Sequence, residues 1–144
     1  SYSVEKIESH AVFESKKDYR WKELEQHTKY GMKLLDGATF IPEEVLFIVA
    51  QHHEREDGQG YPSQIPGEII FYPAKIVSVS DSFCAMVVER PHREAFTAAK
   101  ALEIMKSETG KFDPHVFTCL HEIFNNIPEA EHETDIAVSD KKAA

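Results

Sequence analysis

Residues 51–62, QHHEREDGQGYP, set two adjacent histidines ahead of a charged turn that carries two glycines and ends in Tyr-Pro. Upstream, Pro42 suits a first helical position, and Glu43 and Glu44 suit the positive end of the helix dipole. Val45, Ile48 and Val49 then form an apolar face that continues into His52. Downstream, Gly58, Gly60, Pro62, Pro66, Gly67 and Pro73 punctuate residues 54–73 too densely for a regular helix. The stretch is therefore a helix-to-loop junction. The question it raises is whether the paired imidazoles merely end a helix or form half of a metal site.

Outward from this junction the periodicity is helical. A first helix is predicted from about Asp18, a plausible N-cap, to Leu35, with Trp21, Leu24, Leu34 and Leu35 at three- and four-residue spacings and Asp36-Gly37 as its stop. A third, from about Ala74 to Glu89, is apolar nearly all round, the mark of a central buried helix. A fourth runs from Thr97 to about Glu108 and is stopped by Gly110. A fifth starts at Asp113-Pro114, carries Val116, Phe117, Leu120, Ile123 and Phe124, and closes at Pro128. No period-two strand of useful length occurs, so the class is all-α. Residues 1–127 read as one helical domain and residues 128–144 as a polar, acidic tail that is expected to be frayed.

The totals narrow the functional classes. A chain of 144 residues with 42% hydrophobic and 28% charged residues suits one soluble domain. It shows no apolar run near the roughly 20 residues that span a bilayer. The N-terminus lacks the pattern of a secretory signal, which points to the cytoplasm. A formal charge of −9 argues against binding DNA or RNA duplexes, so any phosphate must be gripped by a local device. Cys84 and Cys119 fit neither a disulfide framework nor a thiolate zinc motif and read as reduced, packed thiols.

Four polar residues interrupt apolar faces. Leu24, His27, Gly31 and Leu34 line up on the first helix, which points His27 inward with a glycine one turn later that leaves room beside it. A satisfied core histidine is the plain alternative there. His52 and His53, as helical neighbours, would lie about 100° apart and would serve two adjacent ions, or one ion and a substrate. Their plain alternative is a polar helix terminus. Asp81 shares a face with Val77, Cys84 and Val88, where a buried carboxylate is costly unless it is paired, hydrogen-bonded or metal-bound. Three imidazoles and a carboxylate form a nitrogen and oxygen donor set suited to iron, manganese or zinc.

With these residues in view, HHEREDGQGYP resembles the HHExxDGxGYP signature of the HD-GYP family of metal-dependent phosphohydrolases. ELEQHTKYGMKLL, AKIVSVSDSFCAM, ERPHR and GKFDPHVF resemble further family segments, in the family's order, across roughly residues 17–124. The resemblance implies an HD-domain helical bundle that hydrolyses cyclic di-GMP to the linear dinucleotide or on to GMP. It also implies two or three divalent ions, iron or manganese foremost with zinc as a third choice. His27, His52, His53 and Asp81 would be the metal ligands, with His52, His53 and Asp81 central to catalysis. Tyr61, Arg90 and Arg93 would hold the substrate. Asp57 would brace the loop or its histidines, and Gly58 and Gly60 would let it fold tightly. Cys84 stands where the family often has Asp, and His92 where it often has Tyr.

The namesake His-Asp pair is absent from these residues. The chain is therefore expected to be part of a longer signalling protein. The alternative is a degenerate module that binds cyclic di-GMP or docks a diguanylate cyclase of the GGDEF type. A homodimer is compatible with either.

Overall fold

The computed structural model describes residues 19–90 and 93–126, with side chains from residue 25 onward. The expected Asp18 cap, the inward positions of Trp21 and Leu24, the substitution at His92, the stop at Pro128 and the tail lie outside the described residues or side chains. Five α-helices appear, α1 (Tyr19–Leu35), α2 (Glu43–Gln51), α3 (Tyr72–Val87), α4 (Ala98–Ser107) and α5 (Pro114–Asn125), with a short 3-10 turn at Gly67–Ile69. Strand-like pairing among the described residues is confined to one isolated bridge between Arg90 and Arg93. The fold is all-α, and no described helix is long and apolar enough to cross a membrane.

Gly31 sets how closely α1 lies on α2. A Cβ at that position would stand 2.9 Å from Val49 Cγ1, so the glycine makes room for α2 and not, as expected, for His27. Leu34, expected on the packed face, is 83% exposed. Gly37 then leaves α1 with φ of 79°, the left-handed conformation that ends helices. Pro42 is the residue before α2, not its first helical residue, and Glu43 and Glu44 fill the first turn.

Helix α3 begins two residues earlier than its glycines and prolines suggested, because Pro73 sits in the first turn, where no backbone N–H is needed. The N–H of Phe71, just before it, donates to Gln51 Oε1 at 2.7 Å and ties the start of α3 to the end of α2. α3 is not the enclosed central helix its composition implied. Its buried residues are Ala74 and Val79, while Ile76 is 45% exposed and Val88, the residue after its end, 56%. Val79 packs with Met105 and Val116, flanked by Phe83, Met86, Phe112 and Leu120, so one stripe of α3 meets α4 and α5, while its start packs against α2 and part of its circumference stays exposed. Cys84 and Cys119 fall outside that stripe. Both thiols are free and exposed, not packed.

α4 and α5 have the caps their sequences specify. Thr97 Oγ1 accepts from Lys100 N at 3.3 Å, and Asp113 Oδ1 accepts from His115 N and Val116 N at 2.9 and 3.1 Å. Gly110, with φ of 75°, turns the chain between them. α4 runs antiparallel to α3. Phe96 N, ahead of α4, donates to Met86 O near the end of α3, while Lys75 near the start of α3 pairs with Asp113 beyond α4 and with Glu56 in the long loop.

Candidate metal centre and cleft

α2 stops at Gln51, so His52 and His53 belong to a turn and not to a helix. His52, as the C-cap, keeps helical backbone and donates its N–H to Ile48 O. The ring centroids of His52 and His53 lie 4.1 Å apart, and the ring of His27 from α1 lies 5.4 Å from that of His52 and 4.8 Å from that of His53. One ligating nitrogen from each of the three falls within 4.8 Å of the others. His27 Nε2 and His52 Nε2 are 3.3 Å apart, a separation that two nitrogens bound at about 2.0–2.1 Å to one ion would have. The geometry thus brings the neighbouring imidazoles and His27 within reach of one ion, where His52 and His53 were expected to serve two adjacent ions or an ion and a substrate.

His52 satisfies both sequence readings at once. Its Nδ1–H donates to Ile48 O and Val49 O at 3.2 and 3.1 Å, capping the last carbonyls of α2. That bond fixes the tautomer and leaves the Nε2 lone pair aimed at His27. Burial, and next the charge of His27, lower its pKa, so the ring stays neutral as a metal ligand must.

The loop beyond is held by a residue that sequence reasoning passed over. Glu54 is 3% exposed, and its carboxylate accepts from Ser63 N at 2.6 Å and from Ile65 N at 3.2 Å. Its signal was present as an acid beside the histidines, followed by a turn rich in backbone donors. Gly60 packs so tightly here that an added Cβ would lie 2.5 Å from Glu54 Cα and Arg55 N and 2.6 Å from His53 O. Asp57 braces the loop and not the histidines. It pairs with Arg55 at 2.6 Å, accepts from Gln59 N, and donates its own N–H to Gly110 O. Gly58 supplies a left-handed turn with φ of 68°.

Tyr61 follows directly. Its N–H donates to His53 O at 3.1 Å and its ring stacks on His53 at 4.7 Å and 24°. Burial above all, then the nearby Glu25 and Asp81 carboxylates, raise the phenol's pKa, so the hydroxyl keeps its proton.

Beside the histidines lies a cleft of ≈ 580 Å³, with His53, Tyr61, Asp81, Arg90 and Arg93 on its walls. Asp81 is exposed, so the argument that a buried carboxylate demands a partner does not hold for it. The apolar neighbours chosen for that argument, Cys84 and Val88, are exposed as well, because α3 buries a different stripe. What places Asp81 at the site is position: it faces the cleft and its charge reaches His52 and Tyr61. It does not join the compact three-nitrogen cluster.

Arg93 is largely committed elsewhere. Its guanidinium donates to Ala85 O at 2.6 Å and to Met86 O and Glu94 O at 3.1 Å, and lies 4.5 Å over the Phe96 ring. Two of those carbonyls end α3, so the side chain caps that helix. Arg90, joined to Arg93 through the bridge, also lines the cleft, as does Arg55.

Residues 6–116 match the HD domain family. The cyclic di-GMP phosphodiesterase response regulator RpfG of Xanthomonas campestris is 40% identical over 67% of this chain and 26% of its own length. A 3′3′-cGAMP-specific phosphodiesterase of Vibrio cholerae is 33% identical over 76% of this chain and 24% of its own. A cyclic di-GMP phosphodiesterase of Thermotoga maritima is 36% identical over 65% and 26%. The chain thus spans about a quarter of the length of the curated relatives it matches. The HD domain binds divalent metal, and the nitrogen-rich cluster of His27, His52 and His53 fits such an ion. This chain belongs to the HD domain family, with the signature of its HD-GYP members.

Proposed function

We propose that this chain forms the His-rich half of a cyclic di-GMP phosphodiesterase centre within a longer cytoplasmic signalling protein. The observation that carries the reading is the convergence of three imidazole nitrogens within 4.8 Å at the wall of a cleft large enough for a dinucleotide. The names of the relatives supply the substrate class.

His27, His52 and His53 would hold the metal through ring nitrogens, and Asp81 would add an anionic ligand from across the cleft. The donor set favours iron or manganese, with zinc also compatible. A divalent ion bound there supplies Lewis-acid stabilisation of phosphoryl charge and acidifies water. Hydrolysis adds water across one phosphodiester: the P–O3′ bond breaks, and the linear product carries a 5′ phosphate and a 3′ hydroxyl. Arg90 offsets the charge of the phosphates, with bidentate geometry that a lysine lacks. Tyr61, protonated and stacked on His53, offers a hydrogen-bond donor at the reacting end. Arg93 acts through the turn it holds, and Glu54, Asp57, Gly58 and Gly60 keep the loop in register with the histidines.

A second reading is a module that binds cyclic di-GMP or a GGDEF-type diguanylate cyclase without hydrolysis. It draws on the position of Asp81, exposed and outside the three-nitrogen cluster, which leaves that cluster without an anionic member. Metal analysis and dinucleotide hydrolysis by the full-length protein separate the two. The enzyme reading expects bound metal and turnover. It also expects His53→Ala to lower both by more than the about 10- to 100-fold that loss of a supporting partner costs. Turnover and metal content unaffected by that substitution would remove the assignment.

A further inference from the structure

We infer that the Glu108–Lys111 pair at one end of the cleft reads the edge of a guanine base and sets the base preference of the site, an inference that rests on the phosphodiesterase reading above. Ser78, Asp81, Ser82 and Ala85 all face the cleft from one side of α3. At 1.5 Å per residue that stripe is about 10 Å long. Because α4 returns antiparallel, Glu108 and Lys111 stand by the Ser78 end, whereas Arg90 and Phe96 stand by the Ala85 end. Asp81 lies between, across from His53. A cyclic dinucleotide whose phosphate sits at the histidines therefore extends one base toward each end.

The two ends differ in chemistry. At the Ala85 end Met86, Phe96 and the arginines offer apolar surface and positive charge, with no side-chain acceptor among them. At the other end both carboxylate oxygens of Glu108 lie 2.9 Å from Lys111 Nζ. Guanine presents two adjacent donors, N1–H and the N2 amino group, next to the O6 acceptor. A carboxylate accepts from both donors, and an ammonium with three hydrogens donates to O6 while keeping its bond to Glu108. Adenine brings a lone pair at N1 against the carboxylate and an amino group against the ammonium, so both contacts become repulsive. Arg55, within electrostatic reach of Glu108, also lines the cleft. One reading end and one tolerant end admit any cyclic dinucleotide with at least one guanine and refuse one with none.

The test compares cyclic di-GMP, 3′3′-cGAMP and cyclic di-AMP as substrates of the full-length, metal-loaded protein, as wild type and as Glu108→Gln and Lys111→Met. The wild type is expected to turn over the two guanine-containing dinucleotides and to disfavour cyclic di-AMP by about 10- to 100-fold in kcat/KM. Glu108→Gln should bring that ratio to within a few-fold, chiefly by raising KM for cyclic di-GMP, and Lys111→Met should move it the same way. The pair is partly exposed, so neither change should alter the thermal unfolding midpoint. A ratio that both variants leave unchanged, or a wild type indifferent to the base, overturns the inference and leaves the phosphodiesterase reading standing. A wild type that cleaves none of the three overturns both.

Discussion

The two walls of the cleft are built on opposite plans. The loop wall, residues 52–65, holds nearly every polar group in short-range bonds: His52 to the end of α2, Glu54 to Ser63 and Ile65, Asp57 to Arg55 and Gln59. The helix wall presents Asp81 and Ser82 from the exposed side of α3, and Arg90 from the turn just beyond it. Metal chemistry explains the division. Imidazoles must be aimed to within fractions of an ångström before the ion arrives, whereas a wall that meets a substrate has to stay open to admit it. The difference also says where a substitution should be felt as stability and where as function alone.

Glu54→Ala strikes the fixed wall and carries the largest expected loss of stability. It strips two backbone N–H groups of a charged acceptor that is almost fully buried, at a cost of about 1.5–3 kcal/mol. Chemical denaturation should show that loss as a lower midpoint with an unchanged slope. A midpoint within error of the wild type would mean that Glu54 does not hold the loop, and the contrast between the walls would fail.

That same residue shows how far the sequence could be read. The helices, their caps at Thr97 and Asp113, the stops at Gly37 and Gly110 and the three histidines were legible, because each rests on local spacing or local chemistry. Three kinds of feature were not. Glu54 bonds to residues nine and eleven positions away, and nothing in a periodic pattern says where a loop returns. The meeting of the His27 ring with those of His52 and His53 depended on how α1 lies on α2, which local spacing does not declare. The burial of Asp81, Cys84 and Leu34 depended on which stripe of each helix found a neighbour, and an all-round apolar helix such as α3 does not declare its stripe.

Arg93 tests the boundary between the walls. If it caps α3, Arg93→Ala removes three hydrogen bonds to carbonyls and a cation from a helix C-terminus, a loss of about 1–2 kcal/mol. Arg90→Ala, by contrast, should raise KM more than it lowers stability. A variant at Arg93 that unfolds like the wild type but binds the dinucleotide poorly would move that residue from scaffold to substrate.

Asp81→Ala is expected to have the smallest effect on stability and separates the two plans most sharply. The side chain is exposed and caps no helix in this structure, so the change in unfolding free energy should stay within about 0.5 kcal/mol. Metal retention in the full-length protein should nevertheless fall, since three neutral nitrogens leave a divalent cation with no charge to offset its own. Isothermal titration with manganese, alongside denaturation of the same sample, reads both quantities. Lost affinity with intact stability places Asp81 on the functional wall. Intact affinity would return it to the solvated surface that its exposure alone describes.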